Sequence, residues 1–323
     1  MPNAIRVHQP GGPDVLRWEA VEVGDPGPGE VRIAHRTAGL NFIDVYHRTG
    51  AYPQSLPFIP GVEGAGDVEA VGDGVTGVAI GDRVAYAGPI GGYAETRLIA
   101  ADRLVRLPDG IEYDQAAAMM LQGMTARMLL RSVHPVKAGE TILVHAAAGG
   151  VGLILCQWAA SLGARVLGTV SSEAKADVAR AHGCHHPIVY TRTDFVAEVL
   201  RICGGDKLPV VYDSVGRDTF LRSLDCLAPR GLMVSFGQSS GAIEPISPSI
   251  LSQKGSLFLT RPTLFTYIAD PAELQASAAE LFEVVASGNV AIEIHQRFAL
   301  AEAADAHRAL EARRTTGSTI LVV

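Results

Sequence analysis

Cysteine, aromatic residues and positive charge are all scarce in this chain. It has four cysteines among 323 residues, and none of them forms a C-x-x-C pair, so the spacings typical of a disulfide framework or a zinc site are missing. We therefore expect reduced thiols and a cytoplasmic protein. The net charge is -7, whereas nucleic acids and anionic membranes attract clustered positive charge, and we expect neither as a partner.

Segments for export or membrane insertion are also missing. Residues 1–12 contain no basic segment followed by an apolar one, so we expect no secretion signal. The uncharged run 141–164 is long enough to cross a bilayer. However, Gly149, Gly150 and Gly152 interrupt this run after a start rich in β-branched residues, which favours a strand, a tight turn and a buried helix over a membrane span.

The pattern of predicted secondary structure changes near Gln115. Up to about Leu121, short β-rich runs alternate with glycine and proline turns, which predicts a small, partly closed β-barrel. Beyond it, apolar strands alternate with helices, which predicts a parallel, doubly wound α/β sheet. A length of 323 residues fits two such domains. The predicted strands of the parallel sheet are Thr141–Ala146, Ala164–Val170, Pro187–Tyr190, Val210–Val215, Gly231–Phe236 and Ser256–Thr260.

A glycine-rich turn follows the first of these strands. The segment Ala146–Gly152 joins the strand to a helix, and its glycines allow the backbone to approach a pyrophosphate closely. The amino terminus of the helix offers N–H groups and a favourable dipole for that charge. Ala147 occupies the position where the G-x-G-x-x-G pattern has its first glycine. The strand before and the helix after the turn still predict a dinucleotide site rather than an ordinary tight turn.

The end of the second strand distinguishes between the two nicotinamide cofactors. A carboxylate at this position binds the ribose hydroxyls of NAD. Here Ser171, Ser172 and Lys175 supply hydroxyls and an ammonium group, which suit the 2′-phosphate of NADP. Glu173 is discordant, and it either caps its helix or faces solvent. The sequence therefore favours NADPH.

Residues that follow the fourth and fifth strands are further candidates for cofactor binding. Ligands of doubly wound sheets lie across the carboxyl ends of the strands. The segments Asp213–Gly216 and Phe236–Ser239 occupy such positions. Position alone leaves open whether they bind a cofactor or are simply turn residues.

The order of motifs along the whole chain resembles that of the zinc-independent quinone oxidoreductases, the group of the medium-chain dehydrogenase/reductase superfamily that includes zeta-crystallin. This resemblance implies a Rossmann NADP-binding domain over residues 123–264. It also implies a GroES-like β-barrel catalytic domain made of residues 1–122 and 265–323. The segments that carry the resemblance are Ala38–Tyr46, Gly61–Gly66, Gly81–Val84, His145–Gly152, Val211–Gly216 and Lys254–Pro262.

The resemblance also implies that the protein contains neither zinc nor flavin. Zinc-dependent relatives have a cysteine near position 41 and a histidine near position 62, where this chain has Asn41 and Val62. Its first cysteine is Cys156, and three protein ligands are needed for a catalytic zinc. One other group of potential ligands lies on a predicted surface loop, for which we expect no metal: His182, Cys184, His185 and His186.

Site residues follow from the resemblance. Asn41, Tyr46 and Tyr52 are expected to hold a carbonyl oxygen or the cofactor carboxamide, and Arg261 to stabilise negative charge on a reduced quinone. Alternatively, the tyrosines are packing residues and Arg261 pairs with a carboxylate. No residue stands out as a proton donor. The expected NADPH contacts are Asn41, Asp44, Gly149, Gly150, Val151, Gly152, Ser171, Lys175, Tyr190, Val215, Phe236, Gly237, Ser239 and Arg313.

The implied activity is transfer of reducing equivalents from NADPH to a small quinone. Two alternatives remain open, a reductase of α,β-unsaturated carbonyl compounds and a non-catalytic NADPH-binding protein, structural or bound to RNA. The segment Ser256–Thr260 reads as the edge strand of the sheet, which predicts a homodimer through that edge. The alternative is a monomer whose edge is covered by the loop 239–248.

Overall fold

A computed structural model describes residues 1–323 and divides them into two compact units. The first unit comprises Met1–Met124, Ile268–Ala286 and Ile292–Val323, and the second comprises Thr125–Tyr267 and Ser287–Ala291. The first unit contains a seven-stranded sheet and a two-stranded sheet, and the second unit contains a six-stranded sheet. The first unit is therefore assembled from segments far apart in the chain, whereas the second is nearly continuous.

The chain contains fifteen strands and eleven α-helices. The strands are β1 (Asn3–Val7), β2 (Leu16–Ala20), β3 (Glu30–Leu40), β4 (Glu63–Val71), β5 (Arg83–Ala87), β6 (Thr96–Ala100), β7 (Val105–Arg106), β8 (Thr141–Val144), β9 (Arg165–Val170), β10 (His186–Val189), β11 (Leu208–Asp213), β12 (Leu227–Ser235), β13 (Phe258–Thr260), β14 (Ile294–Ala299) and β15 (Ser318–Val322). The helices are α1 (Phe42–Thr49), α2 (Tyr113–Ala117), α3 (Met120–Arg127), α4 (Gly150–Ser161), α5 (Glu173–Ala181), α6 (Phe195–Ile202), α7 (Phe220–Ser223), α8 (Ser249–Gln253), α9 (Leu264–Tyr267), α10 (Pro271–Ala286) and α11 (Ala303–Glu311).

The second unit is built on a six-stranded parallel sheet in the order β10-β9-β8-β11-β12-β13. The chain enters at the central strand β8, moves outward to β10, and returns to the other side of β8 with β11. This reversal creates a switch point at the carboxyl ends of β8 and β11, where doubly wound sheets bind ligands. The predicted fold class of this part of the chain is confirmed.

The strands of this sheet are apolar because helices cover both of its faces. In β8, Ile142, Leu143 and Val144 are completely buried. The predicted strand Val210–Val215 in fact ends at Asp213. The reason is that the Asp213 carboxylate accepts hydrogen bonds from the backbone N–H groups of Val215 and Gly216, which starts a turn.

The predicted strand Ser256–Thr260 is shorter in the structure and begins at Phe258. Ser256 has a φ of 56°, a left-handed conformation that is incompatible with a strand. As predicted, β13 forms one edge of the sheet. Phe258 and Leu259 on this strand are 61% and 39% exposed.

The first unit is built on a largely antiparallel sheet in the order β14-β15-β3-β4-β5-β7, with β6 also paired to β3. The carboxyl-terminal strand β15 pairs with β3, which explains why a segment so late in the sequence belongs to this unit. Its apolar interior includes Val31, Ile33 and Val84, all completely buried. Helix α1 follows directly after β3, and this junction positions the polar residues considered below.

Candidate active site

The glycine turn of the second unit has the geometry of an anion site. Strand β8 ends at Val144 and helix α4 begins at Gly150. Gly149 is the N-cap and contributes no side-chain cap, and the first N–H groups of a helix have no partner within it. The turn therefore offers backbone N–H groups and the positive end of a helix dipole to a phosphate.

Two close approaches explain which residues the turn tolerates. A Cβ atom on Gly152 would lie 2.3 Å from the Ala146 carbonyl oxygen, so only glycine lets α4 pack this tightly on the turn. Ala147 takes the place of the first glycine of the pattern and is completely buried. Its methyl group fits because Gly168 on β9 has no side chain, and a Cβ there would lie 2.5 Å from that of Ala147. No local pattern in the sequence reveals this compensation.

The predicted phosphate contacts gather at the ends of two neighbouring strands. Val170 of β9 is paired with Val189 of β10, so Ser171 and Tyr190 follow partnered residues. Lys175 lies in the first turn of α5, where its backbone N–H bonds to the N-cap side chain of Ser172. Tyr190 is 40% exposed. The structure thus brings the elements bearing these side chains together, and their contact with a phosphate stays a prediction.

The discordant Glu173 has a partner. Its carboxylate accepts a hydrogen bond of 2.6 Å from the guanidinium of Arg192. Ser172, not Glu173, caps the helix through its side chain. Water screens an exposed ion pair of this kind. The positive charge of Arg192 nevertheless offsets the negative charge of Glu173 near Ser171 and Lys175.

The turns after β11 and β12 are bonded to each other. Asp213 accepts from the N–H groups of Val215 and Gly216 through its side chain, and from the N–H of Phe236 through its backbone oxygen at 2.8 Å. A Cβ on Gly237 would lie 2.7 Å from the Ser214 carbonyl oxygen. The two predicted cofactor segments therefore form one rigid block, and Asp213 organises it.

The block includes two further predicted site residues. The backbone N–H of Ser239 bonds to the Ser214 carbonyl at 3.1 Å. Arg261, just after β13, donates to Ser235 Oγ at 3.1 Å and to Gln238 Oε1 at 3.0 Å. Its guanidinium is thus held at the end of β12, and its proposed role toward a substrate is not tested by this geometry.

In the first unit, Asn41 is the N-cap of α1. Its backbone N–H donates to Asp44 Oδ2 at 2.9 Å. Its side chain is part of a buried chain of hydrogen bonds, in which Asn41 Nδ2 donates to Glu63 Oε2 at 2.6 Å and Gln122 Nε2 donates to Asn41 Oδ1 at 3.0 Å. Ser318 Oγ continues this chain to Gln122 Oε1 at 2.8 Å. Asn41 is 7% exposed and Glu63 is completely buried.

A second buried chain ends on Asp44. The guanidinium of Arg48 donates to His307 Nδ1 at 3.0 Å, His307 Nε2 lies 3.3 Å from Tyr93 Oη, and Tyr93 Oη donates to Asp44 Oδ2 at 2.9 Å. Arg48 also forms two hydrogen bonds with Glu311, of 2.9 and 2.8 Å. Because arginine only donates, it fixes the histidine tautomer, and every proton in the chain points toward Asp44.

Burial dominates the electrostatics of these groups. It raises the pKa of Asp44 to about 7 and that of Glu63 to about 8. Burial, assisted by the nearby Arg48 charge, lowers the pKa of His307 to about 3, so this histidine is neutral. Shifted carboxyl groups of this kind are typical of functional sites. The sequence alone did not reveal Glu63, Gln122, Tyr93, His307 and Ser318, since their contacts span up to 259 positions of the chain.

The two candidate tyrosines lie side by side. The ring centroids of Tyr46 on α1 and Tyr52 are 5.0 Å apart, and Phe42 packs on Tyr46 at 5.6 Å. The backbone N–H of Tyr52 bonds to the Tyr46 carbonyl. Arg313 of the first unit follows α11 with a φ of 57°. Roles for these three residues stay predictions.

No group of three histidine, cysteine or acidic side chains is arranged to hold a metal ion. The three histidines of the predicted surface loop are bonded to other groups. His182 Nδ1 bonds to the Val178 carbonyl, His185 Nδ1 to the Val166 N–H, and His186 to Arg165. None of the helices has the length and apolar character needed to span a bilayer.

Comparisons with known proteins agree with this architecture. Residues 27–109 match the family model of the alcohol dehydrogenase GroES-like domain, and residues 150–283 match that of the zinc-binding dehydrogenase. The quinone oxidoreductase of Pseudomonas aeruginosa is 55% identical over 100% of both chains, and the 2-haloacrylate reductase of a Burkholderia species is 45% identical over 100% of this chain and 99% of its own.

Among solved structures, Escherichia coli quinone oxidoreductase complexed with NADPH superposes with a TM-score of 0.98 at 46% identity. That match covers 99% of this chain and 100% of the other. Both the identities and the superposition extend over the two units. The predicted family and the prediction of an oxidoreductase are thereby confirmed, and the chain belongs to the quinone oxidoreductases of the medium-chain dehydrogenase/reductase superfamily.

Proposed function

We propose that this protein is an NADPH-dependent quinone oxidoreductase. The observation that carries the proposal is the full-length likeness to the NADPH-bound Escherichia coli enzyme together with an uncapped α4 amino terminus. Family membership alone would not define a reaction. The polar residues of the two units supply the chemistry that the reaction needs.

The second unit has suitable groups for each part of NADPH that we assign to it. We assign Gly149, Gly150, Val151 and Gly152 to the pyrophosphate. The last three offer backbone N–H groups at the start of α4. The N–H of Gly149 bonds to the Ala146 carbonyl, and this glycine contributes by its lack of a side chain. Ser171, Lys175 and Tyr190 provide two hydroxyls and an ammonium group for the 2′-phosphate. Val215, Phe236, Gly237 and Ser239 line the block at the ends of β11 and β12, which we assign to the nicotinamide.

Bound NADPH supplies a hydride, and a quinone that accepts it with one proton leaves as the hydroquinone. The chain's own residues orient the reactants and bind developing charge. We assign Asn41, Tyr46 and Tyr52 to hydrogen bonds with carbonyl oxygen, and Arg261 to negative charge on the acceptor. Asp44 and Arg313 complete the proposed cofactor contacts, and the proton comes from solvent. A quinone is a strong electron acceptor, so no zinc or flavin is required in this scheme.

Turnover of a small quinone tests the proposal. Loss of NADPH absorbance on addition of a benzoquinone, with hydroquinone formed in equal amount, is the expected result. The Gly152→Val variant is the matched control, because its side chain would meet the Ala146 carbonyl oxygen. If the wild-type protein binds NADPH but the added quinone does not oxidise it, the proposal is contradicted. A non-catalytic NADPH-binding protein is then favoured.

A second candidate is reduction of an α,β-unsaturated carbonyl compound. The 45% identical relative named a 2-haloacrylate reductase favours it, because the same hydride geometry serves an activated carbon–carbon double bond. Parallel assays with a benzoquinone, an enone and 2-chloroacrylate separate the candidates. A higher kcat/KM for either alkene than for the quinone would make the second candidate correct.

We also propose a cytoplasmic homodimer paired through β13. Its four cysteines are free thiols, which suits a reducing compartment. Strand β13 lies at the edge of the sheet and exposes Phe258 and Leu259, and an unpaired edge invites a second strand. Pairing of the same strand from a second copy gives a closed two-fold interface.

Light scattering tests the dimer. Leu259→Pro removes a backbone donor from the edge and is expected to yield monomers. Leu221→Ser, which replaces another exposed apolar side chain, is expected to remain dimeric. A wild-type mass near 34.0 kDa contradicts the proposal.

A further inference from the structure

The hydrogen-bond chain through Asn41 has two complete arrangements. In the structure, protons run from Ser318 through Gln122 and Asn41 to Glu63. Glu63 Oε1 accepts in addition from the Leu121 backbone N–H at 2.7 Å. Both oxygens of Glu63 therefore accept, which is the pattern of a carboxylate.

Ser318 allows the chain to run in the opposite direction. Its Oγ lies 2.8 Å from Gln122 Oε1 and also 3.0 Å from the Ala118 carbonyl oxygen. If the amides of Asn41 and Gln122 turn over, Ser318 accepts from Gln122 and donates to Ala118 instead. A protonated Glu63 would then donate to Asn41 Oδ1. No hydrogen bond of the chain is lost, since a hydroxyl both donates and accepts.

The direction of the chain determines what Asn41 offers. The amide has two N–H bonds and two acceptor positions, of which Glu63 takes one N–H and Gln122 takes one acceptor position. Reversal exchanges the places of nitrogen and oxygen. A carbonyl oxygen held by the remaining N–H in one arrangement would face an oxygen atom in the other.

We propose that Glu63, Gln122 and Ser318 are positioning residues for the substrate, and that the proton on Glu63 selects which end of the Asn41 amide faces a bound carbonyl compound. The proposal deepens the proposed function, because it assumes that Asn41 binds the acceptor. It identifies the carbonyl oxygen as the recognised group. The carboxylate form, in which Asn41 offers an N–H, is the active one.

The surroundings of Glu63 contain few other charges that could account for a pH effect. Asp44 on α1, Tyr86 on β5 and Tyr93 interact with it electrostatically. Tyr86 in turn bonds to His35 on β3 and to Arg97 on β6. His35 is neutral because burial lowers its pKa to about 3. Asp44, whose pKa burial raises to about 7, is the neighbour that a control must separate from Glu63.

The test uses three variants of the full chain and pH profiles of kcat and KM for a benzoquinone. Glu63→Gln keeps size and hydrogen bonds, but its oxygen must accept from Leu121 and its nitrogen must then face Asn41, which imposes the reversed arrangement. Ser318→Ala removes the group that completes the reversed arrangement. Thr319→Val is the matched control, since the hydroxyl of this adjacent residue donates to Gln296 Oε1, outside the chain.

In wild type, we expect kcat to rise by about tenfold as pH increases through the pKa of Glu63. The carboxylate form lets Asn41 donate one more hydrogen bond to the negative charge that develops on the carbonyl oxygen of the acceptor. Glu63→Gln stays at the low value at every pH while KM changes less than kcat, because the lost interaction acts in the transition state. Ser318→Ala moves the rise to lower pH, since an unsatisfied amide N–H disfavours the protonated form. Thr319→Val keeps the wild-type profile. A rise that persists in Glu63→Gln, as titration of Asp44 would produce, or one that Ser318→Ala leaves in place, overturns the proposal.

A second readout does not depend on turnover. The side-chain amide protons of Asn41 and Gln122 in NMR spectra are expected to shift together through one titration in wild type. In Glu63→Gln, where only Asp44 beside Asn41 still titrates, the Gln122 amide protons are expected to be independent of pH. If wild type turns over no carbonyl compound, the proposed function fails, and the spectra still decide whether the chain reverses. Unlinked shifts of the two amides contradict the reversal.

Discussion

The two units build their candidate sites in different ways. In the second unit, the site consists of backbone N–H groups, glycines and short side chains that follow one another within a few residues, as in Ala146–Gly152. In the first unit, the Asn41 side chain bonds to buried polar side chains from remote segments, Glu63 and Gln122, and Gln122 bonds in turn to Ser318. The first kind of site can be recognised from a local pattern, whereas the second appears only when the chain is folded.

The same difference has an energetic side. A turn of glycines depends on the absence of side chains, so added atoms damage it. A buried polar chain depends on every partner being present, because an unsatisfied buried group is costly. Substitutions should therefore fail in opposite ways in the two units.

The largest expected effect is removal of the buried charge in the first unit. Arg48→Met deprives Glu311 and His307 of their partner, and loss of one member of a buried ion pair costs about 3–5 kcal/mol. The value here should lie at the low end, since Glu311 is 33% exposed. Arg308→Met is the control, because Arg308 is 43% exposed and pairs with Asp305 at the surface, and it should cost less than about 1 kcal/mol. Urea unfolding measures both, and equal losses would remove the distinction between the two sites.

The next effect is the addition of one carbon to the glycine turn. In Gly152→Ala the new Cβ would lie 2.3 Å from the Ala146 carbonyl oxygen, and overpacking of this kind costs about 1–3 kcal/mol. Gly149→Ala is the matched control, since its Cβ would lie 3.3 Å from the same atom. NADPH affinity and unfolding free energy should both fall more for position 152 than for position 149. The reverse order would contradict the proposed packing of α4.

The smallest effect sharpens the comparison through pH. The pKa of Glu63 is raised from 4.5 to about 8 in the folded protein, so the folded state binds this proton more tightly than the unfolded state. Its stabilisation is complete below about pH 4.5 and is lost as pH rises through about 8. The unfolding free energy of wild type should thus decline relative to that of Glu63→Gln between pH 5 and 9, by at least about 1 kcal/mol. A constant difference across this range would show that the carboxyl group is not desolvated as described.

Most of the fold could be predicted from the sequence. Apolar strands alternating with helices identified the doubly wound sheet, and the glycine turn located its first helix. Ends of elements were less predictable, because side chains set them. Asp213 ends β11 by accepting hydrogen bonds from the N–H groups of Val215 and Gly216. The spacing of apolar residues in the sequence does not predict that contact.

The site was predictable in part for the same reason. Gly149 to Gly152 are found by a local pattern, and Asn41 by resemblance. Glu63 lies in a motif that carried the resemblance, yet its role depends on Gln122 and Ser318, which are 59 and 255 positions away by number. The signal that could have drawn attention to it is a carboxylate, Glu63, within the apolar and glycine-rich segment Gly61–Gly66, since buried carboxylates require partners.

The identity of the cofactor is the central claim that can be tested most directly. Isothermal titration of wild type and Lys175→Ala with NADPH and NADH, at fixed ionic strength, measures it. We expect wild type to prefer NADPH, and Lys175→Ala to weaken NADPH binding by about 1–3 kcal/mol, as for a charge-assisted hydrogen bond, while NADH binding hardly changes. Equal losses for both cofactors, or a wild type that binds them equally well, would contradict the assignment of Ser171, Lys175 and Tyr190 to the 2′-phosphate.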